Sequence, residues 1–160
     1  MIWWHVRFEG TTEIAAPRER VWAFVMDPHQ VAGCGPGVES VEILDEERFR
    51  IKASVGIGFI KARFTVDTEL FDVEEPERAS LRGRGQAPGS AVELVARMNL
   101  RDGADQAGGV GPSIVLDWSS DVTLTGKLAS VGARMIEGTA KKLIGQTFDC
   151  MKSRLEAPAT

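Results

Sequence analysis

The sequence predicts an α+β fold in which a curved antiparallel sheet wraps around one long C-terminal helix. Three observations carry this expectation. From Val38 to Thr125 most segments alternate apolar and polar residues with period two, as strands with one covered face do. From Lys127 or Leu128 to Leu155 the spacing is helical, and one helix there would be ~42 Å long at 1.5 Å per residue. Between the first strand and the others lie two short helical segments bounded by proline and glycine.

The first strand runs from about Trp4 to Ile14, with Trp4, Val6, Phe8 and Gly10 on one face. Pro17 suits a first helical turn, because its missing N–H has no partner there. Val21, Trp22, Phe24 and Val25 give that helix an apolar side, and Asp27-Pro28 ends it. A second short helix, His29 to Ala32, leads to the turn Gly35-Pro36-Gly37. Strands follow at Val38 to Leu44, Phe49 to Val55, Ile60 to Leu70, Arg78 to Gln86, Ala91 to Arg101 and Ser113 to Thr125. Gly56-Ile57-Gly58 reads as a hairpin connection. Asp102 to Pro112, with four glycines, reads as the most mobile loop. On a helical wheel Leu128, Gly132, Met135, Ile136, Thr139, Leu143, Gln146 and Cys150 share the face expected to cover the sheet. Ile144, Phe148, Met151 and Leu155 form a second apolar stripe, for which packing on the short helices is the simpler covering and a partner or membrane surface the other. A bent sheet gripping the last helix is the simplest burial of all these faces, so residues 1–160 are read as a single helix-grip domain.

Bulk properties narrow the function. The formal net charge of −4 provides no basic footprint for nucleic acid. No stretch approaches the ~18 apolar residues of a membrane span, and Met1 to Arg7 has no apolar run of signal-peptide length. With two cysteines and no export signal, the expectation is a reducing cytoplasm and free thiols; spacing alone does not decide whether the fold brings Cys34 and Cys150 together.

The common catalytic signatures are absent. Gly83-Arg84-Gly85 lacks a third glycine and opens no helix, and Gly126-Lys127 is followed by Leu128, where a phosphate loop needs a hydroxyl. His5 and His29 have no cysteine or carboxylate at ligand spacing and read as surface histidines. Catalytic carboxylates would have to point inward, and no inward pair is found. No cofactor or metal is expected.

The inward set is instead long and apolar, which suits an apolar ligand with one or two polar anchors. The candidate lining comprises Phe49, Ile51, Val55, Ile57, Phe59, Phe64, Leu81, Leu94, Met98, Leu116, Trp118, Leu128, Met135, Thr139, Leu143 and Gln146. Gly132, Gly138 and Gly145 each cost ~1 kcal/mol relative to alanine inside a helix. Close helix–sheet contact is the first explanation and room for a ligand the second. A buried amide at Gln146 without a partner would cost ~1–3 kcal/mol, so backbone, water or a carbonyl-bearing ligand should meet it.

Several segments carry a family resemblance: Phe8-Glu9-Gly10, Ala16 to Phe24 with Asp27-Pro28, Cys34-Gly35-Pro36-Gly37-Val38, and Val122 to Gly132 with its Gly126-Lys127-Leu128-Ala129 helix approach. From Phe8 to about Leu155 the chain resembles the CoxG family, the G subunit of carbon monoxide dehydrogenase, within the START/polyketide cyclase-like superfamily. The resemblance implies a helix-grip fold with a hydrophobic cavity, and a role beside a carbon monoxide dehydrogenase-type molybdenum hydroxylase at the inner face of the cell membrane. Members are linked to attaching that enzyme to the membrane and to handling quinone. Some carry a membrane-seeking C-terminal tail, which is not expected to act here, where the sequence reads Ala157-Pro158-Ala159-Thr160.

Superfamily resemblance also puts the ligand's mouth at the hairpins Gly56 to Phe59 and Ala87 to Ser90, near Leu128 and Val131. The leading expectation is thus a non-catalytic carrier of an apolar small molecule, a quinone or lipid, with at most peripheral membrane contact. The alternatives are a small cyclase- or hydrolase-type enzyme of the same superfamily, or an assembly factor acting through its surface. Dimerisation stays open.

Overall fold

The computed structural model describes residues 3–58, 60–103 and 112–157. β1 (Trp3–Ile14) leads to α1 (Arg18–Val25) and α2 (Pro28–Ala32). Six strands follow: β2 (Val38–Ile43), β3 (Arg48–Ile57), β4 (Ile60–Glu74), β5 (Arg78–Ala87), β6 (Ser90–Asp102) and β7 (Ile114–Gly126). A 3-10 turn at Ala129–Val131 precedes the final helix α3 (Ala133–Glu156). The seven strands form one sheet in the order β1-β7-β6-β5-β4-β3-β2. Every pairing is antiparallel, and β1 closes on β7 from Trp3↔Thr125 to Ile14↔Ile114.

Alternation fixes the register. The outer face carries cross-strand ion pairs: Arg7–Asp121 at 3.0 Å, Arg101–Asp117 at 2.7 Å, Arg50–Asp67 at 2.7 Å and Arg63–Glu39 at 2.9 Å. Such exposed pairs contribute only ~0–1 kcal/mol each. Their structural consequence is larger, since a slip of one residue would drive every one of these charges onto the covered face. Asp117 illustrates the local electrostatics. Its carboxylate accepts hydrogen bonds from Arg101 and from the Thr11 hydroxyl, which hold it below the usual carboxylate range.

The inner face packs in two places. Near α1 and the C-terminal half of α3, the core comprises Ile14, Val21, Trp22, Phe24, Leu100, Ile114, Leu116, Met151 and Leu155 among others. At the opposite end, Ile57, Ala62, Phe64, Leu124, Leu128, Ala129 and Ile136 form a second cluster. Several polar contacts fix the helices. The Asp27 carboxylate accepts from the Gln30 side chain and the His29 backbone at the start of α2, and these bonds lower its pKa. Arg18 donates to the Leu100 carbonyl and to Asp102. Arg20 donates to the carbonyls of Arg154 and Ala157, which the end of α3 leaves unpaired.

Three expectations need correction. The last helix does not begin at Lys127 or Leu128. Gly132 takes φ +110°, a conformation open to glycine, and α3 restarts after it. Leu128 therefore does not share a helical face with Met135 to Cys150, and that face is only in part the covered one. In α3 the buried residues are Ile136, Met151 and Leu155, whereas Gln146 is exposed and Met135 is 48% exposed. The second stripe, Ile144, Phe148, Met151 and Leu155, by contrast takes the simpler covering expected of it. Met151 and Leu155 join the core with Val21 and Trp22, and Phe148 packs against it. Nor are the thiols free: Cys34 and Cys150 form a disulfide with their Cα atoms 5.5 Å apart. It joins the segment after α2 to α3 across 116 residues, and it removes the cysteine argument for a reducing compartment. Most of the glycine-rich loop, residues 104–111, lies outside the described residues.

Candidate functional site: an apolar cavity under the final helix

Between the sheet and the C-terminal half of α3 lies a cavity of about 350 Å3. That is within the ~300–1,000 Å3 usual for small-molecule pockets. β4 to β7 build its floor with Leu70, Ala79, Leu81, Ala96, Met98, Leu116 and Trp118. α3 roofs it with Leu143, Ile144, Thr147, Phe148 and Met151, and Val25, Met26 and Val31 from the α1–α2 region close one side. The room exists because small residues occupy the middle of the floor. Ala79 and Ala96 stand where larger side chains would reach the helix, and Ser120 pairs with Ala96. The apolar walls Leu81, Met98, Trp118, Leu143 and Ile144 remain only partly buried, because no side chain fills the space they face.

Polar groups are sparse. Ser80, Ser119, Ser120, Thr147 and Arg97 touch the cavity, and the Thr147 hydroxyl already donates to the Leu143 carbonyl at 2.7 Å. No buried side-chain nitrogen or oxygen among the described residues lacks a hydrogen-bond partner. Among the described residues no group of three or more histidine, cysteine or acidic side chains could hold a metal. The site can therefore shield an apolar body from water, and the lining offers no carboxylate or imidazole for proton transfer.

Of the residues expected to line a cavity, the structure brings together Leu81, Met98, Leu116, Trp118 and Leu143. Others are side by side elsewhere. Ile57, Phe64 and Leu128 are packed in the second cluster with Val55 against it. β5 explains this closure: a Cβ on Gly85 would lie 2.6 Å from Val92 Cγ1 and 3.0 Å from Val66 Cγ2, so neighbouring strands already fill that end. Phe49, Ile51 and Leu94 lie on the concave side of β3 and β6 away from the cavity wall, with Leu94 against Gly83. Thr139 is partly buried outside the wall, Met135 lies over Gly58, and Gln146 faces solvent, so its amide needs no buried partner. Phe59 lies outside the described residues. The cavity is thus displaced from the hairpin end, where its mouth was expected, toward α1 and α2.

Sequence reasoning missed Val25, Met26, Val31, Ile144, Phe148 and Met151. Their signal was present in the apolar side of α1 and the second stripe of the last helix. What was missing is that this stripe, packed toward the short helices as expected, also roofs the cavity. The helix glycines also change meaning. A Cβ on Gly138 or Gly145 would meet nothing within 4 Å, so close helix–sheet contact does not account for them.

The sequence profile of the family described as the G subunit of carbon monoxide dehydrogenase (CoxG) matches residues 10–156. No curated protein matches in sequence. Among solved structures, the chain is similar to a conserved protein from Geobacillus kaustophilus, with a TM-score of 0.83 and 25% identity over 94% of this chain and 95% of that one. It is similar in fold to a START superfamily protein from Mycobacterium smegmatis (TM-score 0.63, 18% identity, 94% and 97% covered). A Streptomyces aromatase/cyclase shares the fold as well (TM-score 0.68, 16% identity, 95% and 94% covered). The helix-grip fold read from the sequence is the fold of these proteins.

Proposed function

The chain belongs to the CoxG family, the G subunit of carbon monoxide dehydrogenase, and on that premise we propose that it is a non-catalytic carrier of an apolar small molecule held under α3. The observation that supports this reading is the cavity itself: about 350 Å3 of space whose walls are almost wholly apolar. An empty apolar cavity of this size costs stability through lost dispersion contacts, and a ligand that fills it restores them. The ligand class is a quinone or lipid-like molecule, and the protein served is a carbon monoxide dehydrogenase-type molybdenum hydroxylase. Contact with the membrane is peripheral, at its inner face; no described helix is long and apolar enough to cross one.

Binding of N-phenylnaphthylamine, followed by its fluorescence and by displacement with long-chain quinones and fatty acids, tests the reading. Ala96→Phe places a ring into the cavity from the middle of its floor. It should weaken probe binding by roughly tenfold or more while leaving the melting temperature unchanged or raised, since it fills a void. A protein that binds neither probe nor quinone, or an Ala96→Phe variant that binds both normally, would sink the carrier reading.

A further inference from the structure

A second space, of about 550 Å3, lies between β1 and α3 on the other side of Trp118. Three side chains, Trp118, Ile144 and Phe148, border both spaces. Trp118 rises from β7 and Phe148 descends from α3. Their rings stack with centroids 5.2 Å apart and planes at 27°, so one aromatic pair spans the gap between sheet and helix. The opposite end of the molecule is closed by the packed cluster around Phe64, Leu128 and Ile136.

Two glycines mark the β1 side. Gly10 pairs with Trp118, and a Cβ there would lie 2.8 Å from the indole, so the ring lies across bare backbone. Gly145 borders the cleft from α3, and a Cβ on it would meet nothing within 4 Å. A glycine in a helix weakens it, and here no contact requires one. It does leave the cleft wide where a side chain would narrow it.

We propose that this β1-side cleft is the mouth through which the ligand reaches the apolar cavity, and that the Trp118–Phe148 stack is its gate. The proposal rests on the carrier reading. Both rings are only partly buried, and side-chain rotations at such positions are fast and need no backbone movement. The rim of the cleft carries Lys141 and Asp149 from α3, which have no ion-pair partner among the described residues, so an entering ligand passes charged side chains before it reaches the apolar cavity.

Stopped-flow fluorescence with N-phenylnaphthylamine on the full chain tests this. Gly145→Phe fills the cleft at an exposed helix position where phenylalanine is a better helix former than glycine. It should slow association and dissociation alike by roughly tenfold, with affinity unchanged within about twofold, as expected when a gate rather than a binding contact is altered. Met135→Trp, at the hairpin end, should leave both rates unchanged. Unaltered rates in Gly145→Phe, or slowing by Met135→Trp instead, overturn the gate and leave the carrier reading standing. A loss of affinity at an unchanged association rate makes the cleft part of the binding site and likewise overturns the gate. Absence of probe binding in the unmodified protein overturns gate and carrier together.

Discussion

Reduction of the Cys34–Cys150 bond should be the largest single chemical perturbation of this fold. The bond closes a loop of 116 residues between the segment after α2 and the C-terminal half of α3. On the chain-entropy account, a loop of that size restricts the unfolded state by about 5 kcal/mol at room temperature. The native side changes little, because Cys34 is buried and Cys150 packs against the same core as Met151 and Leu155, so the reduced thiols stay in place. The figure is an upper value, since unfolded chains are more compact than the account assumes. With an unfolding entropy of ~2.1 cal/mol/K per residue, 160 residues convert that energy into a fall in melting temperature of roughly 15 °C. The assay is thermal unfolding by circular dichroism with and without a phosphine reductant, repeated on Cys34→Ala/Cys150→Ala. The doubly substituted protein should melt close to the reduced one and be indifferent to reductant. A shift below about 3 °C would show that the loop-closure account fails here. Two titratable thiols in denatured protein never exposed to reductant would show that the bond does not form.

Phe148→Asp removes the ring stacked on Trp118 and strands a carboxylate beside Ile144 and Met151, so it should cost about 3 kcal/mol in chemical denaturation. Near-normal stability with lost association in sizing experiments would instead make Phe148 a partner contact. Asp117 has its folded-state pKa lowered, first by Arg101 and then by Thr11, so its contribution is present above the unfolded-state value and fades as pH falls through the depressed one. Asp117→Asn should therefore be slightly less stable than the parent at neutral pH. The difference should vanish in acid, and one that grows on acidification would contradict the assigned sign.

How much of this was legible in the sequence follows from which forces are local. Period-two alternation in β3, β4 and β6 reports which side of each strand is covered, because adjacent side chains point to opposite faces whatever lies above them. That was enough to predict strands, sheet class and the apolar inner surface. The arginines and acids of the wet face could be assigned for the same reason. The motifs at Gly35-Pro36-Gly37-Val38 and Val122 to Gly132 pointed to the family that the profile match over residues 10–156 establishes.

The final helix shows where local reasoning stops. Its period was readable, but the break at Gly132 takes Leu128 out of the helix, and it is the packing against the sheet and the short helices that leaves Gln146 exposed and Phe148 on the core. The pairing of Cys34 with Cys150 depended on the end of α2 meeting α3 across 116 residues, a distance no spacing rule spans. The cavity is a still less local property. It is the volume left over when β5's glycines let one end of the sheet fill and the alanines at 79 and 96 leave the other end open. The sequence alone determined which faces are apolar, because side-chain polarity and period are properties of the chain. Only the tertiary structure decided which of those faces touch and which enclose space, because packing depends on the angle and distance at which separate elements meet.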